Sequence, residues 1–227
     1  MTEHNDVIIY NVVMNARSIP SLARRERERA ETRGKILEAA RRMFVQKGYE
    51  GTTMRAIAAK IGYTPTAIYH HFKDKDALVA ELAGLDFRAL AQALQQTGTV
   101  ADPLERLEKV GAAYVEFGLT HPMQYQFLFM TRRPKGGASG GMPRDPGEDA
   151  YGFLRQTCAA VISTGRLRPE FSDPDELAQM CWGSLHGLVA LQVAKGDDPT
   201  IPWRDVRQTA AKIRAMTMRG ILREPGP

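Results

Sequence analysis

Cysteine is scarce. Two cysteines, Cys158 and Cys181, stand among 227 residues. That is too few for a disulfide framework and gives no zinc-ligand spacing. Each lies in an apolar run of helical spacing, so both read as buried thiols of a reducing cytosol. A secretory leader is lacking too. The start, Met1-Thr2-Glu3-His4-Asn5-Asp6, puts no positive charge ahead of the short apolar run Val7 to Met14. No long uninterrupted apolar run occurs. The longest stretch free of Lys, Arg, Asp and Glu is the 18 residues from Leu177 to Ala194, and Gln179, Ser184, His186 and Gln192 interrupt it. Such a helix is better buried in a bundle or a dimer than in lipid, so no membrane span is expected. The two-residue alternation of strands is scarcely visible. No P-loop, dinucleotide-binding glycine pattern, metal motif or Ser/His/Asp or Cys/His set occurs at workable spacing. These gaps argue against an enzyme: no catalytic residue, no metal ligand and no cofactor are expected.

The charge that is present is unevenly placed. The chain holds 31 Lys and Arg against 26 Asp and Glu. Residues 1–80 hold fourteen against nine, and residues 81–227 hold seventeen of each. Between Arg17 and Lys60 the count is twelve against five. A basic third joined to a neutral remainder suggests one segment that meets a polyanion and another with a different task.

Hydrophobic spacing is helical almost throughout. Residues 1–30 read as a flexible basic arm ending in the run Arg24-Arg25-Glu26-Arg27-Glu28-Arg29. A first helix is expected from Thr32, with Ile36, Ala40 and Phe44 on one stripe and Gly48 as its stop. A second starts at Thr52 or Thr53 and ends at Gly62. A very short third has Thr64 as N-cap and Pro65 at its first position, where a missing N–H costs nothing. It runs through Ile68 and Tyr69 to Phe72. Asp74 caps a long fourth helix reaching about Gly98. Further helices are expected at Pro103 to Thr120, at Met123 to Met130, at about 148–164, at 174–195 behind a capping box of Asp173 and Glu176, and from Pro202 to Leu222. Residues 134–147, with five Gly and three Pro, read as a flexible loop.

The chemistry concentrates in residues 52–72, a helix, a tight turn at Gly62 and a second short helix. This is a helix-turn-helix, whose second helix lies in the DNA major groove. Its exposed side offers Thr64, Pro65, Thr66, Ala67 and His70, short groups that permit close approach and can meet a thymine methyl. Tyr69 and Lys75 can donate to phosphates, which set register without reading sequence.

The string Thr-Thr-Met-Arg-Ala-Ile-Ala-Ala-Lys-Ile-Gly-Tyr-Thr-Pro-Thr-Ala-Ile-Tyr-His-His-Phe-Lys-Asp-Lys-Asp-Ala-Leu, residues 52–78, closely resembles the DNA-binding domain of the TetR family of transcriptional regulators. Ile57-Ala58, Gly62, Ile68-Tyr69, His71-Phe72, Lys75 and Leu78 carry the match, with Ala39-Ala40, Phe44 and Gly48-Tyr49 before them. Tyr63 departs from the small aliphatic residue usual there. The resemblance implies an all-α homodimer: a three-helix DNA-binding domain (31–78) followed by a helical ligand-binding and dimerisation domain (79–227). It implies binding to double-stranded operator DNA, release by a small-molecule effector, and a cytoplasmic setting. By matching, Arg55, Pro65, Thr66, Ala67 and His70 fall at base-proximal positions. Thr53, Thr64, Tyr69, His71 and Lys75 fall at phosphate positions. A helical ligand-binding protein of the same fold, without sequence-specific DNA binding, is the alternative.

In the remainder, Trp182-Gly183-Ser184-Leu185-His186-Gly187 resembles the Trp-His-Gly signature of one C-terminal subgroup. Phe87, Tyr114, Phe117, Tyr125, Phe127, Phe153, Trp182 and His186 are the expected lining of an apolar effector site. Gly183, Gly187 and Ala190 form a small-residue stripe for close helix approach in a dimer, flanked by Leu188 and Leu191.

Overall fold

The structure, a computed structural model, describes residues 3–132 and 149–223, with side chains from Leu22 onward. Among the described residues it is all-helical. The elements are α1 (Glu3–Lys47), α2 (Met54–Lys60), α3 (Pro65–Tyr69), α4 (Lys75–Gln95), α5 (Pro103–Thr120), α6 (Pro122–Tyr125), α7 (Ala150–Ser163), α8 (Pro174–Lys195) and α9 (Val206–Ile221). A 3-10 turn, Gln96–Thr99, follows α4, and a π-turn, Gln126–Met130, continues α6.

Local chemistry sets most helix starts. Thr53, Thr64, Asp74, Asp102, Asp149, Asp173 and Asp205 each accept a backbone N–H of the first turn they precede. Pro103, Pro122 and Pro174 stand at first helical positions, where φ is already suitable. Gly62 has φ +73°, a backbone conformation that a residue with a Cβ resists, and it turns α2 into α3.

Three boundaries differ from the periodicity, among them the end of α3, at Tyr69 instead of Phe72. The first helix does not begin at Thr32. It is continuous from Glu3, so the run Arg24 to Arg29 is helical, with every side chain from Leu22 to Ala30 exposed. Exposed charges stabilise it locally, as in the Arg24–Glu28 pair at 3.5 Å. The last helix starts at Val206, not Pro202, because Asp205 caps it through Gln208 N–H at 2.7 Å. The indole of Trp203 instead donates to the Lys195 carbonyl at 2.8 Å, ending α8. The loop expected at 134–147 lies outside the described residues.

One core runs through both parts. Ile36, Ala40, Phe44, Ile57, Ala58, Ile68, Phe72 and Leu78 fill the N-terminal cluster. Leu82, Leu90 and Leu94 of α4 carry it into α5, α7, α8 and α9. Helix α4 therefore belongs to both cores. Gly118 is required where α5 meets α8: a Cβ there would collide with Val189 and stand 3.0 Å from the Tyr125 ring. Among the described residues one β-bridge, Leu167 to Leu222, clips the end of α9 to the α7–α8 connection.

Candidate functional site

The N-terminal cluster is a rigid platform for α3. Thr52 is fully buried, its hydroxyl donating to the carbonyls of Gly48 at 2.8 Å and Met43 at 3.2 Å. Tyr49 stacks on Phe44 and donates its hydroxyl to Asp76. Burial, and then the bond to that carboxylate, push the Tyr49 phenol up to about 12. Arg33 fastens α1 to the α3–α4 turn. It makes a two-pronged pair with Glu81, donates to the His71 carbonyl at 2.6 Å and lies 4.2 Å from the Phe72 ring centre.

On this platform the expected contact residues divide. Thr53, Arg55, Thr64, Pro65, Thr66, Tyr69 and His70 are exposed, and Ala67 is half-buried. Tyr69 is 53% exposed, high for an aromatic with buried Ile68 beside it. The Thr53 and Thr64 side chains cap α2 and α3, accepting from Ala56 N–H at 3.1 Å and Ala67 N–H at 3.3 Å. Each hydroxyl keeps its own proton to donate elsewhere. Lys75 and His71 differ. Lys75, expected at a phosphate, donates to the carbonyls of Tyr49 at 2.9 Å and Thr52 at 3.1 Å and lies 3.8 Å from the Tyr49 ring centre. It fastens the α1–α2 turn to α4. The Nδ1 of His71 is buried without a hydrogen-bond partner. Burial, with Arg29 and Arg33 nearby, lowers its pKa and keeps the ring neutral. Its Nδ1 therefore faces inward rather than toward a surface phosphate.

A buried polar node joins the platform to the rest. Asp86 in α4 is 0% exposed and receives Arg41 of α1 at 2.7 and 3.1 Å and the Gln124 amide of α6 at 3.0 Å. Glu38 also pairs with Arg41. Burial opposes the Arg41 charge, but the two carboxylates outweigh it. Phe44 packs 5.9 Å from Phe127 beside this node. Of the basic excess near the N-terminus, Arg41 is thus largely buried and Arg33 is engaged by Glu81 within the subunit.

The C-terminal part holds a cavity of about 50 Å³ between α4, α5, α7, α8 and α9. Tyr114 and Trp182, two of the residues expected at an effector site, line it. The other wall residues were not anticipated: Leu94, Leu107, Val110, Gly111, Leu154, Cys181, Leu185 and Met218 are apolar, and Glu108, Ser184, Arg214 and Thr217 are polar or charged. Arg214 and Glu108 pair across it at 3.4 Å. The remaining expected lining residues lie elsewhere. Phe87 meets Phe129 edge-on, Phe117 stacks on His121, and Phe127 sits at the α1 junction. Phe153 lies 3.8 Å from the place a Cβ of Gly98 would occupy. Aromatic spacing alone does not tell a cavity wall from packed core.

Tyr125 and His186 stand one layer behind the cavity. The Trp182 indole donates to the Tyr114 hydroxyl at 2.9 Å, which donates to Tyr125 at 3.1 Å, which reaches His186 Nδ1 at 2.6 Å. This chain needs a neutral His186 that accepts at Nδ1, and burial lowers its pKa in that direction. Burial likewise pushes the Tyr114 phenol up to about 12 and raises Tyr125 further. Tyr125 and Gln124 are neighbours on α6, so α6 touches this chain on one side and the Asp86 node on the other.

Among the described residues, the outer face of α8 stands open. Met180 and Leu191 are 45% and 54% exposed, and Met216 of α9 is 69% exposed. Gly183 and Gly187 are exposed, with open space where a Cβ would stand. Ala190 and Leu188 are half-buried. Among the described residues, no helix is long and apolar enough to cross a membrane.

Comparison with known proteins adds the following. A family model described as bacterial regulatory proteins, tetR family, matches residues 36–82, and one described as tetracyclin repressor-like, C-terminal domain, matches residues 107–212. The HTH-type transcriptional repressor AcnR of Corynebacterium diphtheriae is 43% identical over 68 residues, 30% of this chain and 36% of that protein. The HTH-type transcriptional repressor KstR2 of Mycobacterium tuberculosis is 38% identical over 86 residues, 37% of this chain and 42% of that protein. The chain therefore spans well under half the length of these curated relatives. The solved structure of the ketosteroid transcriptional regulator KstR2 of Mycobacterium tuberculosis is similar at a TM-score of 0.63 and 25% identity, over 85% of this chain and 96% of that one.

Proposed function

The chain belongs to the TetR family of bacterial regulatory proteins, and from that premise we propose that it is a ligand-responsive, DNA-binding transcriptional repressor. The observation that carries the reading is α3. A capped, five-residue helix on a rigid core presents Pro65, Thr66, Tyr69 and His70 to the outside. Tyr69 stays 53% exposed there, an aromatic ring turned outward from the platform.

In this reading residues 31–78 form the DNA-reading unit and residues 79–227 the effector and dimer unit, in the cytoplasm. Arg55, Pro65, Thr66, Ala67 and His70 approach base edges. Thr53, Thr64 and Tyr69 meet phosphates, with the exposed arginines of Arg24 to Arg29 adding sequence-independent attraction. The exposed faces of α8 and α9 pair two copies, so that two reading units meet a near-palindromic operator.

The effector is small and largely apolar, held between Tyr114, Trp182 and the leucines of the cavity. Ligand sites usually enclose several hundred Å³, far more than the present space, so binding must move the walls. Leu94 of α4 is one of them. Displacing α4 shifts the Asp86 node and with it α1, so effector binding and DNA binding oppose one another.

The test is binding to the DNA upstream of the protein's own gene. Wild type binds, and its affinity falls steeply with salt as counterions are released. Tyr69→Ala binds at least about tenfold more weakly, the loss of one charge-assisted hydrogen bond. Equal behaviour of wild type and Tyr69→Ala overturns the reading.

A further inference from the structure

Arg214 of α9 has no part in the reading unit, and it is poorly paired for its burial. Its side chain is 18% exposed, close to the 13% of Arg41. Arg41 gives Asp86 two bonds and Glu38 a third. Arg214 gives one, from Nε to Glu108 at 3.4 Å, longer than an ordinary N–H···O bond. Its two terminal amino groups meet no acceptor among the described residues, and neither is sealed off. A guanidinium is a fixed fork of N–H donors, and most of this fork is unspent. Thr217, one turn further along α9, is also part of the cavity wall, and its hydroxyl has no partner among the described residues.

The two partners of the pair are not equally held. The Arg214 stem lies on α5 where Gly111 leaves room: a Cβ there would stand 2.8 Å from its Cδ and 3.5 Å from its Cγ. Glu108, one turn before Gly111, is 37% exposed, more open than Arg214. When a guest enters, the carboxylate can turn out to water while the guanidinium stays. The cavity then presents one fixed cation, the Thr217 hydroxyl and walls of Leu94, Leu107, Leu154 and Trp182. An unpaired cation among such walls is costly, so the guest that fits brings one negative charge of its own. A carboxylate matches the fork with two parallel bonds. A dianion would leave a second charge unbalanced among leucines.

We propose that the cavity takes a small apolar carboxylic acid as its anion. Arg214 reads the carboxylate, Thr217 is a further donor, and Glu108 is the internal stand-in that the ligand displaces. The hydrocarbon part lies toward Leu94, Leu107 and Leu154. The assignment takes its cavity from the effector reading above and adds the head group that this site selects. The incoming acid replaces a carboxylate that the protein already supplies. It gains over its neutral amide because it exchanges one long bond to Arg214 for a two-pronged one. An amine of the same length meets the fixed guanidinium and is repelled.

The experiment titrates the full chain, without DNA, by calorimetry near neutral pH. The probes are straight-chain acids from butyrate to decanoate, each beside its primary amide and its amine. At the best-fitting length one acid binds per subunit, at least about tenfold tighter than its amide, and the amine binds more weakly than either. Arg214→Met binds acid and amide alike, to within about twofold, and Arg214→Lys recovers only part of the difference. Glu108→Gln, which removes the competing carboxylate, binds the acid about threefold tighter. An acid no better than its amide at every length, an amine that binds tightest, or an Arg214→Met that keeps the preference overturns the proposal. If Arg214→Met fails to fold, the wild-type ranking and Glu108→Gln decide it. Release of DNA is measured separately. An acid that binds as stated yet leaves operator binding unchanged sinks the effector reading and not the carboxylate site. Release by ligands that show no preference for the acid sinks the carboxylate site and not the effector reading.

Discussion

Asp86→Ala breaks the buried node that joins α1, α4 and α6. The Asp86 side chain is 1% exposed and that of Arg41 13%. Removing the carboxylate leaves a guanidinium mostly out of water, with only Glu38, itself half in solvent, as partner. Breaking a buried pair from one side costs about 3–5 kcal/mol. Glu38 places the value at the lower end, near ~3 kcal/mol. The Gln124 amide also loses its acceptor, at about 1 kcal/mol. At roughly 2–4 °C per kcal/mol in a chain of this size, Tm falls by about 8–16 °C. The assay is thermal unfolding at fixed protein concentration, because a dimer's Tm depends on it. Arg41→Met combined with Asp86→Leu removes both charges and fills the space, so the double variant recovers most of the loss. A drop of less than about 2 °C for Asp86→Ala, or a double variant no better than the single one, refutes the reasoning.

Three further outcomes follow from the same structure. Thr53→Ala removes the α2 cap and costs about 1 kcal/mol, read as a Tm fall of about 2–4 °C, which Thr53→Asn restores. Gly111→Val fills the cavity, since a Cβ there stands 2.8 Å from Arg214 Cδ and 3.0 Å from Leu185 Cδ1. Operator affinity stays within about threefold while release by effector is lost; unchanged release in a titration places the effector elsewhere. The folded chain binds the His186 proton less tightly than the unfolded chain, whose value is ~6.5. As pH falls through that value the unfolded state gains a proton the folded state refuses, so stability falls. His71 acts in the same direction. His186→Gln therefore flattens the fall in Tm between pH 7.5 and 5.5, and a slope as steep as wild type's contradicts the neutral ring.

The reading unit was legible because its determinants are local. Thr53, Thr64 and Asp74 cap the turns they precede, Pro65 opens α3, and Gly62 turns the chain, each by chemistry confined to a few residues. Lys75 was not legible as a fastener. The carbonyls it holds, at Tyr49 and Thr52, converge only after the α1–α2 turn has formed. The cavity wall was hidden for a similar reason. Leu94, Val110, Leu154 and Met218 come from four helices, and no periodicity separates a leucine beside a void from one in full contact. Arg214 and Glu108 are 106 residues apart, so their pairing had no sequence signal. Asp86 did have one. It stands four residues after Leu82 and four before Leu90 on the buried stripe of α4, where a carboxylate demands a buried partner.

Selection from random duplex oligonucleotides with the purified full chain tests the central claim most directly. The account predicts enrichment of one near-palindromic sequence, bound by two copies and lost with Tyr69→Ala. A final pool no different from the input, with binding that depends on salt alone, contradicts it.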